Sequence, residues 1–133
     1  MRTINENLFF VANLQVFSCP YTSLYIDKAK KSLHLFIRIS SPYEDNPQYV
    51  IADVSSDQVT RYMNKRVGLK SLLKRQSSYT FAIIEDNNVV LEQKNEFQPT
   101  PEMQLSDKFD PEYCLEQLKL KVFLNRFNNH QIY

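Results

Sequence analysis

Apolar and polar positions alternate with a period of two along several stretches of this chain, and that period predicts strands. From Thr22 to Lys28, Thr22, Leu24 and Ile26 fall on one side and Ser23, Tyr25 and Asp27 on the other. From Leu33 to Ile39, Leu33, Leu35, Ile37 and Ile39 point inward, leaving His34, Phe36 and Arg38 outward. The polar run Ala29-Lys30-Lys31-Ser32 joins them as a hairpin. After a loop by composition from Ser40 to Pro47, Gln48 to Val54 is β-branched and reads as a third antiparallel strand. Tyr79 to Asp86 and Val89 to Lys94 form a second hairpin around Asn87-Asn88, because Asn tolerates positive φ. Leu14 to Ser18 alternates weakly, and Leu8 to Ala12 fits either a short helix or more strand.

Helical signals occupy the gaps. Ser55 and Gln58 have capping-box spacing, in which the hydroxyl and the amide satisfy each other's orphan N–H groups. Val59, Tyr62 and Met63 follow at helical intervals, and Gly68 stands where a left-handed terminal residue is wanted. Leu69, Leu72 and Leu73 mark a second short helix, closed by the polar run 75–78. Gln98 to Asp107 reads as an irregular loop. Asp110-Pro111 opens a last helix, as N-cap and first helical position, running to about Phe127.

The expected fold is α+β: one domain over residues 1–133, with a single antiparallel sheet of about five strands, meander plus hairpin. Short helices follow the third strand, and a C-terminal helix packs on one face. At 133 residues and 43% apolar content the chain can bury a core without staples.

The last helix carries more apolar surface than one sheet contact uses. At 100° per residue Cys114, Leu115, Leu118 and Val122 share one arc. Tyr113, Leu120, Phe123, Leu124 and Phe127 share an arc nearly opposite. Either the N-terminal segment buries the surplus, or it is a surface for a partner or a second copy. The expectation places that interface on Leu120, Phe123, Leu124 and Phe127.

Charge and composition narrow the chemistry. A net charge of +1 argues against a strong sequence-independent nucleic-acid binder. The single glycine removes P-loop and dinucleotide-binding loops, which need several. Cys19 and Cys114 lie in no motif and read as reduced thiols. The two His and two Cys are too scattered for structural zinc, so no metal or cofactor is expected. No segment approaches the roughly 20 apolar residues of a membrane helix, and Leu8 to Phe17, interrupted by Asn13 and Gln15, lacks the flanks of a signal peptide. The expectation is a cytoplasmic protein making no membrane contact.

The order of pieces resembles an uncharacterised family of small bacterial α+β proteins. The resemblance rests on Val16-Phe17, Pro20, Leu24-Tyr25, Leu35-Phe36, Val54-Ser55 and Gly68-Leu69-Lys70-Ser71-Leu72, covering about residues 14–86. Where that family often has Asp-Gly before the proline, this chain has Ser18-Cys19. The resemblance implies a fold and supplies no catalytic residues.

Three function classes remain. The first is a non-catalytic protein-interaction or regulatory module using the C-terminal helix, and the sequence leans toward it and away from an enzyme. The second is a nucleic-acid-associated protein with phosphate contacts at Lys65, Arg66, Lys70, Lys74 and Arg75, although cations there also suit helix C-termini. The third is a small enzyme around a polar pocket of Tyr25, Asp27, His34 and Arg38, with His34 as acid or base oriented by Asp27. Cross-strand pairing on a solvated face accounts for the same four residues.

Overall fold

The computed structural model describes residues 2–74 and 78–129. One antiparallel sheet of seven strands organises them, in the order β1-β7-β6-β5-β4-β3-β2. The strands are β1 (Arg2–Ile4), β2 (Leu8–Phe17), β3 (Cys19–Asp27), β4 (Ser32–Arg38), β5 (Gln48–Val54), β6 (Tyr79–Glu85) and β7 (Asn88–Lys94). The α+β class and single antiparallel sheet are as expected; the strand number is seven rather than about five. Both added strands are edges. Leu8–Phe17 is one strand in the register Leu8↔Asp27 to Phe17↔Cys19, and Arg2–Ile4 pairs with β7. Pairing with a neighbour resolves the helix-or-strand ambiguity of a short apolar run, and local pattern does not contain that neighbour.

The connection between β1 and β2 dictates the shape of the sheet. The two strands lie at opposite ends of the strand order, yet only three residues separate Ile4 from Leu8. Such a link reaches about 14 Å at most. A flat sheet would hold its edges about 29 Å apart, at roughly 4.8 Å per strand step. The sheet therefore curls until its two edges approach each other in a seam at the Ile4–Leu8 link, although β1 and β2 share no ladder. Asn5 clasps the seam: its N–H donates to the Val89 carbonyl at 3.3 Å, and its side-chain amide to Asp27 Oδ2, also at 3.3 Å. Lys28 N–H donates to the Asn7 carbonyl at 3.0 Å.

Curling buries both faces. Leu24, Leu33, Leu35, Ile37, Val50, Ala52 and Val54 join the main core beneath the helices. On the other face Phe36, Tyr49, Ile51 and Ala82 form a second buried cluster, with Tyr25, Ile84 and Leu91 against it. The solvated outer face expected for His34, Phe36 and Arg38 is thus corrected. Phe36 is fully buried and Arg38 nearly so, because the concave side closes over them.

The helices are α1 (Ser56–Met63), α2 (Leu69–Leu73), α3 (Pro101–Gln104) and α4 (Gln117–Asn128), with a 3-10 turn at Pro111–Tyr113. The Ser55/Gln58 capping box forms in full. Gly68 does not take the left-handed role: its φ is −97° and it caps the start of α2. Lys65, at φ 62°, ends α1 instead. Its N–H donates to Tyr62 O and that of Arg66 to Arg61 O, both reciprocal bonds of a left-handed helix stop. Glycine suits position 68 for closeness, since a Cβ there would sit 3.2 Å from the Asp107 carboxylate and carbonyl. The hairpin turn is likewise shifted by one residue, with Asp86 and Asn87 at positive φ.

Two expectations fail in the C-terminal third. Thr100 caps Pro101–Gln104 as a short helix inside the supposed loop, and Met103 is fully buried. The expected continuous helix from Asp110 breaks: Cys114 is extended at φ −118°, ψ 94°. The cause lies in contacts to β2. Glu116 Oε2 accepts from Asn13 N at 3.0 Å, and Cys114 Sγ approaches Asn13 O at 3.9 Å. Gln15 answers Asp110 with both ends of its amide, at 2.9 and 2.8 Å, as a strand partner would. No described helix is long and apolar enough to cross a membrane.

Candidate functional site

The break in the last helix decides which apolar arc faces out. Leu120 and Leu124 are 0% and 6% exposed, within the main core, and Phe123 and Phe127 pack against it. The arc expected to meet a partner is therefore the one that holds α4 to the sheet. Leu115, Leu118 and Val122 remain outside, 89%, 76% and 44% exposed. Phe9 and Phe10 of β2, which lie near Val122, are 44% and 48% exposed.

A cleft of about 460 Å³ runs between these two elements. Phe9, Phe10, Val11 and Ile26 form its β side, and Val122 and Phe123 its helical side. Lys28, Lys119 and Arg126 rim it, and no carboxylate lines it. Lys28 Nζ lies 4.2 Å from the centre of the Phe9 ring and Lys119 Nζ 5.5 Å from that of Phe10. Strand register breaks between Phe10 and Ala12, and such a bulge redirects side chains at a sheet edge. Sequence patterning missed Phe9 and Phe10 because their exposure depends on β2 lying at the edge.

The second site is the mouth of the curled sheet, about 210 Å³ in volume. Asn5, Asp27, Lys30, His34, Asp53, Thr80 and Gln93 supply its polar lining. His34 is not oriented by Asp27. Its Nδ1 lies 2.7 Å from Asp53 Oδ1, and its Nε2 2.8 Å from Ser32 Oγ. Register explains the pair, since His34 and Asp53 are directly opposed on β4 and β5. A hydroxyl, an imidazole and a carboxylate in series are the parts of an activated nucleophile. The carboxylate, however, stands 71% exposed in its side chain. Asp27 serves the turn instead, accepting from Ala29 N and Lys30 N at 3.0 Å each. Burial pushes its carboxyl up, but the Lys30, Asn5 and Ala29 hydrogen bonds and nearby His34 together hold it below the usual range.

Of the other two members of the expected pocket, Tyr25 is directly opposite His34 on β3 but gives its ring to an aromatic row, and Arg38 lies farther along β4. Tyr25 stacks on Phe36 at 4.0 Å between centroids, in an aromatic row from Phe10 to Tyr49. Burial pushes its hydroxyl up. Arg38, four residues from His34 and so about 13 Å along the strand, donates to the Ser40 and Ser41 carbonyls at 3.1 and 2.9 Å. Tyr25 and Arg38 thus build the sheet rather than a shared pocket.

Of the basic group, Lys65 and Arg66 line a cleft of about 490 Å³ with Lys108. Lys74 is exposed, and Arg75 falls outside the described residues. Asp107 sits among these cations and occupies the start of α2. Its carbonyl accepts from Leu69 N at 3.0 Å and its carboxylate from Lys70 N at 2.9 Å. The N–H groups a phosphate would use are thereby taken. Burial also raises the Cys114 thiol above its ordinary value, so this buried group is held as the un-nucleophilic thiol. Among the described residues no cluster of three or more His, Cys, Asp or Glu could hold a metal ion. Comparison with protein-family models, with curated proteins and with solved structures finds no match to this chain.

Proposed function

We propose that this protein is a non-catalytic protein-interaction module whose contact surface is the cleft between β2 and the outer face of α4. One observation carries the reading: exposed Phe9 and Phe10 of β2 and exposed Val122 of α4 line opposite sides of one cleft, and Leu118 is exposed one turn before Val122 on the same helix. Contiguous exposed apolar surface rimmed by polar residues marks association sites. The helix remains the element expected to bind, with its other face turned out.

The test pairs wild type with Leu118→Glu/Val122→Glu. Both positions are exposed, so folding is expected to persist, checked by circular dichroism and Tm. Proximity crosslinking in native extract is expected to join a partner to wild type and lose it in the variant. An unchanged set of crosslinks would remove the reading.

The Ser32–His34–Asp53 series favours a second reading, a small acyl hydrolase with Ser32 as nucleophile and His34 as base. It ranks below the first because the nearby turn N–H groups of Ala29 and Lys30, natural donors to an oxyanion, are spent on Asp27. On this reading His34→Ala lowers p-nitrophenyl acetate hydrolysis at least about 100-fold. On the preferred reading the variant matches wild type at the uncatalysed background.

A further inference from the structure

The contacts of the C-terminal segment leave the start of β2 uncovered. From Asn13 to Phe17 the outer edge is occupied: Glu116, Asp110 and Cys114 meet Asn13 and Gln15, and Tyr113 packs on Phe17. From Leu8 to Phe10, before the chain turns inward at buried Val11 and Ala12, β2 is the accessible end of the sheet, and among the described residues no further strand pairs with it. Natural edges are ordinarily blunted or covered. Here the cover stops where the exposed rings begin.

We infer that the Leu8–Phe10 edge receives an extended, acidic, apolar segment of a partner protein, which adds as a short strand beside β2 and lays its apolar side chains into the cleft. The inference rests on the proposed interaction surface and names its partner class. Main-chain groups of an open edge supply affinity in strand addition, and adjoining pockets supply selectivity. The cleft provides such a pocket, with Phe9, Val11, Val122 and Phe123 as its walls.

Charge selects the occupant. Lys28, Lys119 and Arg126 surround the cleft and no carboxylate lines it; with Glu116 Oε2 4.0 Å from Lys119 Nζ the cations still outnumber the nearby acid, so an acidic segment is complementary. A second copy fits poorly, because a two-fold pairing of β2 edges would bring these same cations toward their own counterparts. Single-stranded nucleic acid stacks its bases on open aromatic faces. On Phe9 and Phe10 the lysine ammonium groups already lie against the rings.

The test uses full-length protein and a short acetylated peptide alternating Glu with Val or Leu, with binding read by fluorescence anisotropy. Binding is expected, with slowed amide exchange at Leu8–Phe10 and about tenfold weakening by Lys119→Glu/Arg126→Glu, both exposed positions. A peptide N-methylated at alternate amides, unable to make the ladder, is expected not to bind. Failure of the acidic peptide, equal binding of its Lys-substituted version or equal binding of the N-methylated version would each overturn strand addition. So would protection of Leu8–Phe10 by an oligonucleotide, or by concentration-dependent dimerisation of the protein alone. Loss of crosslinked partner in Leu118→Glu/Val122→Glu reads the surface separately: if it holds while the peptides fail, the surface stands and the strand mode falls.

Discussion

Leu120→Ala is expected to cost about 3–4 kcal/mol of stability, and Leu118→Ala less than about 0.5 kcal/mol. The two leucines are two residues apart on α4, with identical side chains and opposite environments. Leu120 is fully buried among sheet and helix side chains, so truncation removes its transfer energy and leaves a cavity. Leu118 is 76% exposed and gives up little on becoming alanine. Urea unfolding followed by circular dichroism measures both. Comparable costs would mean that α4 is rotated from the orientation described, and the proposed surface would go with it.

Asp27→Asn is expected to destabilise by about 2 kcal/mol and to flatten the acid side of the stability profile. The carboxylate is the junction of the seam. It takes two N–H groups of the β3–β4 turn and the Asn5 amide that joins the two edges of the sheet. An asparagine can keep one oxygen acceptor, but it presents a donor where the other oxygen stood. The pH dependence follows from the lowered folded-state pKa. The unfolded chain binds the proton more readily near pH 3.9. The stabilisation is therefore complete above that value and is lost as pH falls through the lower folded value. Thermal melts from pH 6 to pH 2 should show this loss in wild type and a smaller one in Asp27→Asn. Parallel profiles would mean that Asp27 is not the responsible group.

Strand periodicity, hairpins and caps were legible in the sequence because each is a local preference. Leu24, Ile26, Leu33, Leu35 and Ile37 alternate, and they line the core. Ser55 and Gln58 carry their cap within four residues. Positive φ was harder to read. Glycine was the obvious residue for the end of α1, but the structure uses Lys65 there and places Gly68 against Asp107. That choice depends on a chain segment almost forty positions away.

The candidate sites were less legible. Tyr25 and Asp27 on β3 share a sheet face with His34 and Arg38 on β4, but their contacts distribute them among an aromatic row, a turn, a relay with Asp53 and a carbonyl clamp. The amphipathic signal in the last helix was real and two-sided, so it could not say which side faces in.

By itself the sequence determined the α+β class, the central antiparallel strands, the main core face and the capping of α1. Hydrogen-bonding periodicity and side-chain chemistry act over a few residues, so these features are written locally. The tertiary structure alone decided the two edge strands, the curled sheet with both faces buried and the outward arc of α4. Each depends on contacts between distant segments: Asn5 with Asp27, Glu116 with Asn13, Asp110 with Gln15. Those contacts leave Phe9, Phe10, Leu118 and Val122 at the surface.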